Sequence, residues 1–475
     1  MRINDFASNL LETLQTCPPT QCLWVAYSGG LDSHVLLHAL AQLQQNNSLP
    51  DRNLGRVKLR AIHIHHGLQE EADRWATHCQ QICHVLGVSY QVKRVRVRLK
   101  TRESVEANAR TARYDAIAQL LAPNDIVLTA QHADDQAETL LLQLLRGAGV
   151  AGLAAMPAIS RLAQGWLVRP LLAYTRSQLY DYARQAHLQW IEDSSNVDTR
   201  FDRNFLRHEI IPLLQQRWPS LSDTLSRAAR HQAEADELVQ TLAEEDLRRV
   251  VQNDENASLL EKPGFFEKEN FFYGLGSLFI PALSRLSPAR QRNVLRFWLK
   301  QLGLPLPSTV QLQHIQSDML TARAERQPMV HWHGGEVRRY HNQLFAMPNL
   351  PPIPDSSHQL SWTLPQSLRL PLGELTVNPV QGQGLALPAG TELQVRFRQG
   401  GEMFRWHGHR RPVKKLLQAA QLPPWQRPFI PLIYLDKTLV AIGNIGIADG
   451  FVAGSQEIGW EIKIAPGFQN LTGLD

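Results

Sequence analysis

A chain of 475 residues allows roughly two to four domains, and 43% hydrophobic with 20% charged residues is an ordinary globular mixture. Four cysteines (Cys17, Cys22, Cys79, Cys83) exclude a disulfide scaffold, fit a reducing cytoplasm and, with no CxxC pair, argue against a zinc or iron–sulfur centre. The net charge is +5, yet Thr391–Ile430 alone holds eight Lys/Arg against Glu392 and Glu402, a local excess suited to a polyanion.

Asp5–Leu14 reads as a short amphipathic helix rather than a leader, and no apolar run reaches the eighteen or so residues that span a bilayer. Leu23–Tyr27 is long enough for a buried strand. Ser28-Gly29-Gly30-Leu31-Asp32-Ser33 then breaks the run, and Val35, Leu36, Ala39, Leu40 and Leu43 recur at helical spacing. Ser33 is the expected N-cap. Strand, glycine-rich loop and helix is the layout that gathers backbone N–H groups around an anion, here a nucleotide phosphate. No GxxxxGK[ST] is present, so the loop is not of the Walker type.

Val57–Ile64, Tyr90–Val97 and Asp125–Thr129 read as further strands, alternating with helices at Glu70–Leu86, Val105–Leu121 and Ala133–Leu145. That alternation predicts an α/β domain with a parallel sheet, whose ligands bind at the C-terminal strand ends. Ser28–Ser33, His65–Gly67 and His132–Asp135 all follow strands and converge on that edge. Asp135, Glu138 and Thr139 share a helix face, and carboxylates beside a phosphate loop suit Mg²⁺ bridging to ATP. His63, His65 and His66 alternate across a strand, which disfavours a metal trio. Glu106, Arg110, Arg113 and Tyr114 line one helix face, and Lys93–Arg102 is strongly basic; both suit phosphates.

Ser220–Val251 reads as one long helix, and 256–347 as mixed, with helical character near Pro288–Leu302 and Val310–Arg323. Ala346–Ser357, with four prolines, reads as an extended linker, and Gln359–Val380 as β-structure. Beyond it Phe397, Phe404 and Trp406 interleave with Arg396, Arg398, Arg405, Arg410, Arg411, Lys414 and Lys415, a pattern suited to phosphates and to stacking on unpaired bases.

Ser28–Ser33 resembles the SGGxDS signature of the PP-loop ATP pyrophosphatase superfamily. The set HHGL (His65–Leu68), ExxARxxRY (Glu106–Tyr114), HxDDxxET (His132–Thr139), LRGxG (Leu145–Gly149) and the Asp193–Arg207 segment (Asp193, Ser195, Asn196, Arg203, Asn204, Arg207) narrows the resemblance to the tRNA(Ile)-lysidine synthase family. His65 stands where some relatives have Asp. The resemblance implies a PP-loop, nucleotide-hydrolase-like domain at 1–220 with a tRNA-contacting extension, a mainly helical middle domain at 221–347 and a small α+β tRNA-binding domain at 348–475.

It further implies that ATP adenylates the wobble cytidine of a CAU-anticodon isoleucine tRNA, after which free L-lysine displaces AMP. Ser28, Gly29, Gly30, Leu31, Asp32, Ser33, His132, Arg110 and Arg113 would bind ATP. Asp32 and Asp135 would hold Mg²⁺, and Asp32, Asp135 and Glu138 would form the catalytic set. The base for the lysine amine stays open among Asp135, Glu138 and Asp193. Asp193, Asn196, Arg203, Asn204 and Arg207, with Arg405, Arg410, Arg411, Lys414 and Lys415, would contact tRNA. Cytoplasmic action is expected, and a homodimer is left open. A PP-loop tRNA thiolase and a tRNA-binding protein with an inactive nucleotide site are the competing readings; no cysteine set suits the former, and intact Ser28–Ser33 and Asp135 oppose the latter.

Overall fold

Cys22–Ala26 (β1) is buried along most of its length because it lies mid-sheet with helices on both faces. The structure, a computed structural model, describes residues 3–49, 57–67, 71–96, 105–192, 198–251, 277–322, 326–355 and 357–466. It divides into two units, Met1–Leu238 and Val239–Asp475.

The first unit runs α1 (Ile3–Gln15), β1, α2 (Leu31–Gln45), β2 (Lys58–His65), α3 (Ala72–Leu86), β3 (Ser89–Arg94), α4 (Val105–Ala118), β4 (Ile126–Leu128) and α5 (Ala133–Leu145). It continues with α6 (Val150–Leu153), β5 (Ile159–Leu162), β6 (Gly165–Val168), α7 (Arg176–Gln185), α8 (Asp202–Phe205) and α9 (Ile211–Arg217), and α10 (Leu221–Val251) begins in this unit and ends in the second. Sheet order is β3-β2-β1-β4-β6-β5, parallel except for the antiparallel edge strand β5. Alternation along β1 divides its side chains. Leu23 and Val25 join Phe6, Leu36, Leu40 and Leu179 in one core, while Trp24 joins Ile62, Ile117, Val127 and Leu167 in the other.

Helix α2 begins at Leu31, with Gly30 as an extended N-cap, two residues before the expected start at Ser33. Gly29 makes the early start possible: its φ of +87° turns the chain sharply after Ser28. Ser33 therefore lies inside the first turn, where its hydroxyl donates to the Gly30 carbonyl (3.0 Å) and meets Ser28 Oγ (3.0 Å). Gly29 also has no room for a side chain, since a Cβ there would lie 2.8 Å from Ile191 Cδ1 and 2.9 Å from Cys79 Sγ. Burial pushes the Cys79 thiol up to about 12, so it acts as packing.

The second unit has two main cores. In one, helices Ile280–Ser284 (α11), Pro288–Gln301 (α12) and Thr309–His314 (α13) pack with a four-stranded antiparallel sheet: β7 (Leu278–Phe279), β10 (Gln343–Met347), β9 (Gly335–Tyr340) and β8 (Met329–Trp332). The other core lies among antiparallel sheets of residues 360–466. These begin with β11 (Leu360–Thr363), β12 (Leu368–Leu370), β13 (Gly373–Gln381) and β14 (Glu392–Phe397). A hairpin of β15 (Met403–Trp406) and β16 (His409–Pro412) follows, then the helix Val413–Ala419 (α14). No helix among the described residues is long and apolar enough to cross a membrane.

The β1–α2 junction can be tested at two positions. Gly29→Ala forces alanine into a left-handed backbone against packed neighbours, at a cost of roughly 2–4 kcal/mol. Urea unfolding checks this, and an unchanged midpoint would refute the need for glycine. His34 on α2 is 3% exposed, and burial, aided by His38 and His78, pushes its imidazole down to about 4. The fold thus favours the neutral ring. That contribution is present above pH 6.5 and is lost as pH falls from 6.5 toward 4. His34→Gln should make the decline in unfolding midpoint between pH 7 and 5 shallower; an equally steep decline would contradict it.

Candidate active site

Two loops at the C-terminal ends of adjacent strands, β1 and β4, build the site. After β1, the start of α2 leaves the N–H groups of Leu31, Asp32 and Ser33 without intrahelical acceptors. Those of Ser28 and Gly30 point at the Ser33 and Ser28 hydroxyls (3.2 and 3.3 Å). Ile191 seals the loop from outside, its N–H donating to the Gly29 carbonyl at 2.9 Å.

After β4, His132 enters the start of α5 with 2% exposure. Its Nε2 lies 3.6 Å from Asp32 Oδ2 and 3.5 Å from Asp135 Oδ2, and its Nδ1 lies 3.5 Å from Asp134 Oδ2. These separations are ionic contacts rather than tight hydrogen bonds. Burial alone would lower the imidazole's pKa, but Asp135, Asp134 and Asp32 together carry it up to about 10. His132 thereby bridges the two loops, and its acidic neighbours favour the protonated ring. Asp135 Oδ2 also accepts from the His132 N–H at 3.1 Å.

A helical run from Asp202 to Arg217, with a π turn at Leu206–Ile210, packs beside α5. It delivers two arginines to the acidic face. Arg207 donates to Glu138 Oε1 (Nε, 2.6 Å), Glu138 Oε2 (2.9 Å) and Asp135 Oδ1 (2.9 Å). Arg203 donates to Glu138 Oε2 and Thr139 Oγ1, both at 2.9 Å. Burial opposes the charge on Arg207, but Glu138, Asp135 and Asp32 outweigh it and raise its pKa. Glu138, expected in the catalytic set, is 1% exposed with both oxygens held by guanidinium, which makes it an anchor for the arginines. Arg203 and Arg207, expected on tRNA phosphates, here face the carboxylates of α5. Asn204 donates to the Asp198 carbonyl (3.0 Å).

Arg110 and Arg113 lie on α4. The first sits over the Tyr114 ring at 5.4 Å, and the charge of the second reaches His66 at the end of β2. Burial pushes His66 down to about 4, and Arg113 pushes the same way. His65 instead meets Asp73 (3.2 Å), which also accepts from Arg94 (2.6 Å). Asp193, Ser195 and Asn196, along with Leu68, Arg98, Lys100 and Arg102, lie outside the described residues.

Sequence reasoning passed over Arg169, which follows β6 and is 7% exposed. Its Nη1 donates to the Pro157 carbonyl (2.7 Å), and its Nε has no protein partner. An arginine directly after an apolar strand was the available signal.

A divalent cation is implied by the superfamily resemblance, and the donor set fits one. Asp32 Oδ1 is buried without a hydrogen-bond partner, and Asp135 faces it across His132. No larger cluster of metal-binding side chains occurs among the described residues. Mg²⁺ suits such a sparse site, since it takes one or two carboxylates and completes its shell with phosphate and water.

In the second unit, the β15–β16 hairpin places Arg405 directly opposite Arg410. His407 and Gly408 have positive φ (53° and 76°), as a two-residue hairpin turn requires, and both N–H groups donate to Asp449 (2.9 and 2.8 Å). Arg405, Arg410 and Arg411 are exposed there, as are Lys414 and Lys415 on α14. The aromatics depart from expectation. Phe397 and Phe404 are 3% and 1% exposed, because alternation turns them into the core as their arginine neighbours turn out, so neither stacks on a base.

Comparison with known proteins agrees with this layout. A family model described as a PP-loop domain matches residues 3–214, one described as the TilS substrate binding domain matches 278–345, and one described as the TilS substrate C-terminal domain matches 393–464. The chain is 42% identical over 462 residues to the tRNA(Ile)-lysidine synthase of Coxiella burnetii, covering 96% of each chain. It is 44% identical to that of Pseudomonas putida (92% of this chain, 95% of that one) and 42% to that of Pseudomonas fluorescens (96% and 97%). With relatives this similar aligned over nearly their full length, the chain belongs to the tRNA(Ile)-lysidine synthase family.

Proposed function

We propose that this chain uses ATP to join free L-lysine to C2 of the wobble cytidine of CAU-anticodon isoleucine tRNA, forming lysidine in the cytoplasm. The observation that carries this reading is the meeting of the Ser28–Ser33 loop with the Asp32–His132–Asp135 contacts at one sheet edge. In the first step the cytidine C2 oxygen attacks the α-phosphate and pyrophosphate leaves. In the second, the lysine ε-amine attacks C2 and AMP leaves. Unstacking the cytidine costs free energy that remote tRNA contacts offset.

The free N–H groups at the start of α2 point where the departing pyrophosphate gathers charge. Arg110 and Arg113, on α4, are the further cations that this reading assigns to ATP. Mg²⁺, held by Asp32 and Asp135, would supply further offset of phosphate charge. His132 fixes the spacing of those two carboxylates. A lysine ammonium has a pKa of about 10.4 and must lose a proton before attacking. The acceptor stays open among Asp135, Glu138 and Asp193, the first engaged by Arg207 and His132 and the second by Arg203 and Arg207. Arg203 and Arg207 hold the wall that lysine and the anticodon loop meet.

Pyrophosphate and AMP release, measured with the isoleucine tRNA, the methionine tRNA that shares its anticodon, and lysine present or absent, tests the reaction. Release confined to the isoleucine tRNA supports it, and release independent of tRNA contradicts it. Asp32→Ala should abolish pyrophosphate release while tRNA affinity stays within about three-fold; near-normal turnover would remove Asp32 from the site. Charge reversal at Arg410, Arg411, Lys414 and Lys415 should weaken tRNA binding and lower the salt slope by about one for each phosphate no longer neutralised. An unchanged slope would place the tRNA surface elsewhere.

A further inference from the structure

The geometry points to Asp134 as a positioning residue for adenylation: it clamps the starts of α7 and α10 to the start of α5 and sets the orientation of the His132 ring. This rests on the reading of the site as the place of ATP cleavage. Asp134 and Asp135 are adjacent, yet their carboxylates do different things. Asp135 joins the contacts with His132 and Arg207. Asp134 turns the other way. Its Oδ1 accepts from Ser222 Oγ in the first turn of α10 (2.7 Å), and its Oδ2 accepts from the N–H of Arg176, the first residue of α7 (2.8 Å).

Neighbouring contacts strengthen the same joint. Ser226 Oγ donates to the Ala133 carbonyl at 3.2 Å, and the Ala133 N–H donates to the Tyr174 carbonyl at 2.7 Å. The N-terminal ends of α5, α7 and α10 therefore meet at one carboxylate. Each presents the partial positive charge of a helix N-terminus, so a negative charge is favoured where they meet.

The consequence for chemistry runs through His132. Asp134 Oδ2 stands 3.5 Å from His132 Nδ1, on the far side of the ring from Asp32 and Asp135. The ring is thus held between a clamp on one edge and two site carboxylates on the other. Without Asp134, the ring and the first turn of α5 lose their common reference, and Asp32 and Asp135 lose their spacing. A displacement of about 1 Å at reacting groups is enough to cost about a hundred-fold in rate.

The test uses the full chain with ATP, Mg²⁺ and the CAU-anticodon isoleucine tRNA, reading kcat and KM for ATP in pyrophosphate release alongside thermal unfolding. Asp134→Ala should lower kcat by about a hundred-fold with KM for ATP within about three-fold. Asp134→Asn keeps an acceptor oxygen for one of the two donors and should recover to within about ten-fold of wild type. Ser222→Ala removes one donor, leaves every charge in place, and should show the same fall in kcat in milder form. Wild-type kcat in folded Asp134→Ala would overturn the inference. So would equal inactivity of the Asn and Ala variants with recovery at raised Mg²⁺, which would make Asp134 a metal ligand. If Asp134→Ala fails to fold, Ser222→Ala decides, and a wild-type kcat there overturns the inference. Absence of pyrophosphate release by the wild-type chain would instead overturn the reading of the site.

Discussion

Carboxylates from two different helices cannot crowd one sheet edge unless positive charge stands between them. Here His132 and Arg207 stand beside them. Asp32 arrives on α2 and Asp135 on α5, and their oxygens lie 3.6 and 3.5 Å from one atom, His132 Nε2, with Arg207 on the other side of Asp135. In a buried setting such contacts are far stronger than in water, and they are strong only while both signs are present. The loops after β1 and β4 are consequently held as one object. Arg207 extends the same alternation of sign outward through Asp135 to Glu138, and Arg203 closes it. The acidic edge is in this sense an ionic lattice in which Asp32 Oδ1 is buried without a hydrogen-bond partner.

Much of the first unit was legible because its signals are periodic and local. The helix read at Ala133–Leu145 has those bounds in the structure, and the long helix read at Ser220–Val251 begins one residue later. Glycines between an apolar run and a helical repeat were enough to locate the turn between β1 and α2. The helix start at Leu31 was not legible, because it depends on the left-handed turn at Gly29, which composition does not report. The antiparallel strands of 329–347 were obscured for another reason. Glu336 and Arg339 are buried polar residues within β9, satisfied by Arg338 and by the Met319 carbonyl, and they erase the apolar alternation that marks a strand.

Long-range pairing was the least legible feature. Nothing local says that Arg203 and Arg207 meet Glu138, some 65 residues away in sequence, rather than solvent or phosphate. The same holds for Asp134 and Ser222. A charged residue near a motif announces chemistry, but its partner is chosen by the fold. In this chain several charges that read as ligand-facing are first of all partners of one another.

The β15–β16 hairpin carries a liability of its own. Arg405 and Arg410 are cross-strand partners, and like charges at such positions repel. The turn stays closed because Asp449 gathers its two N–H groups. The ribbon is therefore a loaded element whose own repulsion is relieved by any polyanion laid across it. In the tRNA-binding role proposed for these arginines, part of the free energy of docking would come from within the protein, as released strain rather than from new interactions. Simple salts act on it twice, relaxing the bare hairpin by screening while competing with the phosphates for the same guanidinium groups.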